Sequence, residues 1–163
     1  MEYIFKKLSI KDCDAVLEIM NYFIKNSYAA YNQNRIGPEV YERFYNMAQG
    51  YPAVTVRDES DKIIGFGFLH PYHPADTFIH TAEITYFIMP EHTHSGLGTR
   101  LLDHFTSEAR KKGIKTILAS ISSLNEQSLK FHQKHGFTEC GRFQRIGLKN
   151  GIEFDVVWMQ KFI

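Results

Sequence analysis

Two cysteines, Cys13 and Cys140, are all that 163 residues hold, and they stand far apart and outside any C-x-x-C pair. That excludes a disulfide scaffold and leads us to expect reduced thiols in a cytosolic protein. Neither charge prevails, since 19 basic residues face 18 acidic ones for a formal net charge of +1. No global field then draws the chain to nucleic acid or an anionic membrane, and its partner is expected to be small. A run of about 18 apolar residues, enough to span a bilayer, is missing. The start, Met1-Glu2-Tyr3-Ile4-Phe5-Lys6-Lys7, is broken by charge too early for a signal peptide. Internal repeats, low-complexity tracts and Pro/Gly/Ser linkers are missing too, so residues 1–163 are expected to form a single domain around one core. No G-x-x-x-x-G-K-[ST] occurs, which argues against nucleoside triphosphate chemistry. Eight histidines do not amount to a metal site: the tightest cluster is His92-x-His94 beside Glu91, and no third ligand has motif spacing. Zinc asks for three or four ligands in a defined geometry, so no metal is expected.

What is present is apolar surface, 44% hydrophobic and 14% aromatic residues, enough for one substantial core. Residues 3–8 read as a first strand. From Lys11 to Ile24, Ala15, Val16, Ile19, Met20, Phe23 and Ile24 recur at helical intervals. Residues 26–36 show no periodicity and are expected to be mobile, and a second helix begins after Gly37-Pro38 and ends near Gly50. Ala53 to Val56 and Ile63 to Leu69, separated by Asp58-Glu59-Ser60-Asp61, read as an antiparallel hairpin. Thr81 to Met89 is a fourth strand with Ala82, Ile84, Tyr86 and Ile88 on one face and Glu83, Thr85, Phe87 and Met89 on the other. Leu97, Leu101, Leu102, Phe105 and Ala109 make the stripe of a third helix, which stops at Gly113. A fifth strand covers Thr116 to Ile121, and a short helix runs from about Asn125 to His135 before Gly136. Two last strands flank Asn150-Gly151, a strong hairpin signal. The order is mixed α/β (α+β).

Chemistry concentrates between the fourth strand and third helix, in Pro90-Glu91-His92-Thr93-His94-Ser95-Gly96-Leu97-Gly98-Thr99. The first amides of a helix have no partner within it and face the positive end of its dipole, so a pyrophosphate accepts hydrogen bonds there. Glycine at 96 and 98 would let the backbone approach the phosphates, although G-x-G alone is equally a pair of glycines in an ordinary strand-to-helix turn. The turn follows four strands and two helices, too late for a dinucleotide-binding fold.

This segment resembles the [Q/R]-x-x-G-x-[G/A] signature of the GNAT superfamily of N-acetyltransferases, with Thr93 where Gln or Arg is usual and Gly96 and Gly98 in place. The similarity is closest to the phosphinothricin and L-amino-acid N-acetyltransferase branch. It is carried also by Thr81-Ala82-Glu83 with Tyr86-Phe87-Ile88, by Asn125 through His132 with Gly136-Phe137, and by Gly147-Leu148-Lys149 through Asp155-Val156-Val157. The resemblance implies the GNAT fold, a mostly antiparallel sheet of about seven strands flanked by about four helices, with strands four and five splayed around acetyl-CoA. It implies a pantetheine arm on the backbone of Tyr86, Phe87 and Ile88, pyrophosphate on the amides of His94, Ser95, Gly96, Leu97, Gly98 and Thr99, and a cofactor contact from Asn125. Asn125 is also the type of residue that caps a helix, and Ser123 with Glu126 has the spacing of a capping box.

Acetyl transfer to a small-molecule amine needs an uncharged nitrogen, and Glu83, an acid in an otherwise apolar strand, is the candidate base for direct attack. Burial would raise its pKa and strengthen it. The bland alternative is a glutamate paired with a polar neighbour. His132 stands where the superfamily usually places a tyrosine that protonates the leaving thiolate; it is equally a packing histidine. A strand-four amide near Ile88 would meet the developing oxyanion. Tyr31 and Phe78 fall where this branch walls its acceptor pocket, though either is equally an ordinary core aromatic, and Tyr72 joins them as an acceptor residue at the start of a more telling stretch. Relatives acting on amino acids tend to carry arginines after the tyrosine of Tyr72-His73-Pro74-Ala75, and this chain has none there. A polyamine or a protein N-terminus is the other acceptor class, and a non-catalytic acyl-CoA sensor the other function. The last strands, with Phe143, Phe154 and Trp158, close the core or form the homodimer common among relatives.

Overall fold

A computed structural model describes residues 2–163 as seven strands and four α-helices. The strands are β1 (Ile4–Lys7), β2 (Ala53–Arg57), β3 (Ile63–Pro71), β4 (Thr81–Ile88), β5 (Thr116–Ser122), β6 (Thr138–Lys149) and β7 (Ile152–Phe162). The helices are α1 (Cys13–Asn26), α2 (Pro38–Met47), α3 (Leu97–Lys111) and α4 (Glu126–Lys134). One sheet orders the strands β1-β2-β3-β4-β5-β7-β6, and every neighbouring pair is antiparallel except β4 with β5.

The local signals act where the sequence puts them. Pro38 opens α2 at its first turn, and Gly113 and Gly136, with φ of +77° and +87°, follow the ends of α3 and α4. Asn150 and Gly151, at φ +52° and +75°, make the tight turn between β6 and β7. Some bounds shift. α1 starts at Cys13 rather than Lys11 because Ile10–Asp12 first makes a 3-10 turn, with the Ser9 amide donating to the Asp12 carboxylate at 2.8 Å. β3 runs on to Pro71, held by β4 opposite.

Alternation along β4 separates two cores. Ala82 and Ile84 join the cluster beneath α3, where Leu97, Leu101, Leu102, Phe105 and Ala109 are at most 1% exposed. Each large member stabilises the fold by about 1.5–3 kcal/mol. Phe87 and Met89 turn the other way, to Phe66, Phe68 and the apolar stripes of α1 and α2. α1 packs over β3 and β4, so the same face of β5 and β7 is left to the connection between α1 and α2.

That connection is fastened rather than loose. Asn21, buried in α1, donates from Nδ2 to the Ile36 carbonyl at 3.1 Å and accepts the Ile36 amide at 2.8 Å. An asparagine at a buried helix position satisfies both of its polar atoms in this way, a long-range partnership that periodicity cannot reveal.

β4 and β5 pair at only three positions, Thr81 with Thr116, Ala82 with Ile117 and Glu83 with Leu118. Beyond them β4 stays in register with β3 as far as Ile88, and β5 with β7 as far as Ser122. Each strand follows its other neighbour, and the pair parts like the arms of a V.

Candidate active site

At the open end of β4 the chain makes a 3-10 turn, Pro90–His92, and enters α3 through Gly96 at φ +80°, a left-handed conformation suited to glycine. The Thr93 hydroxyl donates to the Pro90 carbonyl at 2.7 Å and the Ser95 hydroxyl to that of His92 at 3.0 Å, which fixes the turn. His94, between them, is also left-handed at φ +60°. The first helical bond of α3 runs from Arg100 to the Gly96 carbonyl at 3.1 Å, and no side chain caps the helix. The amides of Leu97, Gly98 and Thr99 therefore precede the helical ladder, an arrangement suited to cradling an anion. The Leu97 side chain is core, so only its backbone can serve a ligand. A Cβ on Gly98 would lie 3.3 Å from the Phe131 ring, so glycine lets α3 begin against α4. Thr99 adds a hydroxyl contact of 2.9 Å to His135 Nε2.

The V continues from this cradle. Met89 donates its amide to Ile64 of β3 at 2.9 Å. Amides alternate along a strand, so those of Tyr86 and Ile88 face the β5 side, where pairing has ceased. Phe87 has its backbone turned to β3 and its ring against Phe66, with centroids 5.7 Å apart. Asn125 is the N-cap of α4, its Oδ1 accepting the Ser128 amide at 3.3 Å. The Ser123 hydroxyl instead accepts the Asp155 amide at 2.9 Å, so the Ser123–Glu126 capping box does not form. These features fit acetyl-CoA: a cradle for its diphosphate, then a cleft with open backbone groups for its arm.

Glu83 occupies the last rung before the strands part. Its face is that of Phe87, and across the ladder stands His70, whose Nε2 lies 3.9 Å from Glu83 Oε2. Burial pushes the Glu83 carboxyl above its ordinary value, and a charged His70 opposes that rise. His70 Nδ1 contacts the Pro71 carbonyl at 3.0 Å, which places a proton on that nitrogen. Sequence reasoning missed His70, because the nine residues between β3 and β4 hide the register that pairs it with Glu83.

The same face collects the three proposed acceptor aromatics. Tyr31, at 44% exposed, sets its hydroxyl 2.6 Å from Ser120 Oγ and stacks on Phe154 with centroids 5.9 Å apart and planes 6° from parallel. Ser120 lies opposite Trp158 in the β5–β7 ladder, Trp158 meets Tyr72 edge-on at 6.3 Å, and Tyr72 meets Phe78 at 5.7 Å. Tyr72 and Phe78 are 44% and 40% exposed, so none of the three is an ordinary core aromatic. Ser120 carries no sequence signal. The His73 ring accepts the Ala75 amide at 3.1 Å and leans on Phe78.

His132 lies on the opposite, α3 side and is 4% exposed. Its Nδ1 contacts the Ser128 carbonyl at 2.8 Å, so that nitrogen carries the proton, and Nε2 accepts the Tyr86 hydroxyl at 2.8 Å. Burial pushes the Tyr86 phenol up and the His132 imidazole down to about 4, from 6.5. Between those two pH values the unfolded chain binds the extra proton, so stability rises with pH through this window and the full contribution is present above 6.5. We expect urea unfolding to show a loss of up to about 3 kcal/mol attributable to His132 as pH falls from 7 toward 4. His132→Phe flattens that dependence; an unchanged slope in the variant would place the acid sensitivity elsewhere.

Among the described residues, no group of three His, Cys, Asp or Glu is placed to hold a metal ion, and no helix is long and apolar enough to cross a membrane. The model of the Acetyltransferase (GNAT) family matches residues 21–137. An L-methionine sulfoximine/L-methionine sulfone acetyltransferase of Salmonella typhimurium is 31% identical over 91% of this chain and 88% of its own. The L-amino acid N-acyltransferase MnaT of Escherichia coli is 31% identical over 91% and 87%. Among solved structures, that of yncA from Salmonella typhimurium with its cofactor acetyl-CoA superposes with a TM-score of 0.88 at 27% identity, over 99% of this chain and 94% of that one.

Proposed function

Since this chain belongs to the acetyltransferase (GNAT) family, we propose that it acetylates the primary amine of a small amino-acid-like molecule by direct attack, with Glu83 as base. It is an acetyl-CoA-dependent acyltransferase, and the relatives named above act on amino acids or their sulfur analogues, which supports that acceptor class. One observation carries the reading. Glu83, a half-buried carboxylate, stands where β4 and β5 separate, at the foot of a cleft whose far end opens on the uncapped amides of α3.

Acetyl-CoA supplies an acyl carbon joined to a good leaving group. The diphosphate is assigned to His94, Ser95, Gly96, Leu97, Gly98 and Thr99 through backbone amides, and the arm to the cleft-facing backbone of Tyr86 and Ile88, with Phe87 flanking. Asn125 contributes its amide nitrogen, since its oxygen caps α4. An acceptor α-amine, with a pKa near 8, arrives mostly protonated. Glu83 removes that proton directly or through a water, the nitrogen forms the new C–N bond, the C–S bond breaks with its electron pair leaving on sulfur, and the second proton that the nitrogen then sheds passes to the thiolate or to water. The Ile88 amide is the donor we assign to the carbonyl oxygen as its charge grows. His132 is neutral at physiological pH with its one proton on the Ser128 side, so it reaches the leaving thiolate only through the Tyr86 hydroxyl. A thiol of pKa about 8.5 needs little such help. Tyr31, Tyr72 and Phe78 wall the acceptor.

We also read the chain as a single cytosolic N-acetyltransferase domain with Cys13 and Cys140 free, and as a homodimer. Phe143, Ile146 and Leu148, exposed along the edge strand β6, support the last. The test is thiol release from acetyl-CoA across L-amino acids, methionine sulfone, phosphinothricin and polyamines. Turnover is expected with an amino-acid-like amine. Acetyl-CoA binding by calorimetry with no thiol release from any amine would replace the enzyme reading by that of a sensor.

A further inference from the structure

Lys149, the last residue of β6, is 1% exposed, and the partners of its ammonium are not carboxylates. Nζ donates to the carbonyls of Ser27 and Ala30, each at 2.8 Å, and lies 5.9 Å over the Tyr28 ring. Burying an ammonium is costly unless its donors are satisfied, so such a residue is tied to the groups it serves. Ser27 follows the last residue of α1, where the carbonyl end of the helix dipole favours a cation. Ala30 immediately precedes Tyr31.

Three further contacts run between the same connection and the C-terminal strands. Gln33 Nε2 donates to Asn150 Oδ1 and the Asn150 amide returns a bond to Gln33 Oε1, both 2.8 Å. Tyr31 stacks on Phe154, whose ring fills the space over Gly147 that any side chain there would take. The Tyr31 hydroxyl ends on Ser120, two positions along β5 from Leu118, the partner of Glu83. The turn end of the β6–β7 hairpin thus grips residues 27–33 and sets one aromatic wall beside the carboxylate.

We propose that Lys149 is a positioning residue for acceptor specificity: it latches residues 27–33 to the β6–β7 hairpin and so holds Tyr31 over the face that binds the amine. This rests on the reading of that face as the acceptor site. Lys149 is too deeply covered to touch an acceptor itself, and it lies on the opposite side of the sheet from the cradle at Gly96. Its removal therefore acts on the acceptor and spares acetyl-CoA.

Lys149→Met keeps an unbranched side chain of similar length and deletes the charge. Expected are a rise of about tenfold or more in KM for methionine sulfone, with kcat and the KM for acetyl-CoA changed less than about threefold, and faster amide exchange across residues 28–33 in the free protein. Gln33→Ala, at an exposed position, loosens the same segment without disturbing the core, and should give a smaller change of the same pattern even if Lys149→Met does not fold. Unchanged exchange in a folded variant overturns the latch and leaves the proposed activity standing. Faster exchange with an unchanged acceptor KM overturns the specificity role. Absence of thiol release from the parent protein would instead strike the proposed activity, while exchange still reads the latch.

Discussion

As the proposed base, Glu83 replaced by glutamine (Glu83→Gln) is expected to lower kcat/KM for the acceptor amine by about 10²- to 10⁴-fold, with acetyl-CoA affinity by calorimetry within about threefold of the parent. Glutamine fills the same volume and still faces His70, so what disappears is the ability to take a proton. The pH profile adds a second readout. The base must be deprotonated to work, and burial raises the Glu83 pKa, so the acidic limb of the parent's kcat/KM lies above the pH expected for a solvated glutamate. His70 works against that rise, and His70→Phe moves the limb further toward neutral pH. Glu83→Gln abolishes the limb. Retention of full activity, or an acidic limb that survives the substitution, would remove Glu83 from the proton path and leave it as a partner for His70.

Phe105→Ala is the substitution expected to harm the fold most. The ring is fully buried in the middle of the α3 stripe. Above it β3 has a glycine: a Cβ on Gly67 would come within 2.8 Å of Phe105 Cε2 and 2.7 Å of the Tyr86 Cβ. The ring therefore fills space that the strand opposite vacates, and Gly67 has no side chain to lean into the cavity. Truncation of such a phenylalanine costs about 3–5 kcal/mol, and for a chain of this size each kcal/mol lowers Tm by about 2–4 °C. Scanning calorimetry should thus show a fall of roughly 10 °C. A loss under about 1 kcal/mol would mean that α3 settles onto the sheet and closes the gap.

The sequence was informative wherever the cause of a structure is local. The α3 stripe, the β4 alternation, Pro38, Gly136 and the Asn150-Gly151 turn each act through a few adjacent residues, and their elements form where the periodicity predicts them. The cradle was legible for the same reason, since Gly96 and the uncapped amides lie in one short segment. What stayed hidden was pairing across long stretches of chain. His70 meets Glu83 only through a register set by tertiary packing, and Ser120 meets Tyr31 from 89 residues away. Residues 26–36 read as mobile because their fastenings, Asn21, Lys149 and Asn150, lie outside the segment. Tyr86 had no visible role beyond its backbone until its hydroxyl was seen on His132.

Three rungs are all that join the ladder of β1 to β4 with that of β5 to β7 and β6. The sheet is in this respect two panels sharing a short seam, and the backbone groups along the unsealed length rely on water when nothing else lies there. A long molecule bound in that slot exchanges the water for itself and acts as a splint between the panels. With the acyl donor in that slot, as proposed, cargo and mortar would be one substance, and the panels would lose part of their bracing each time it departed spent.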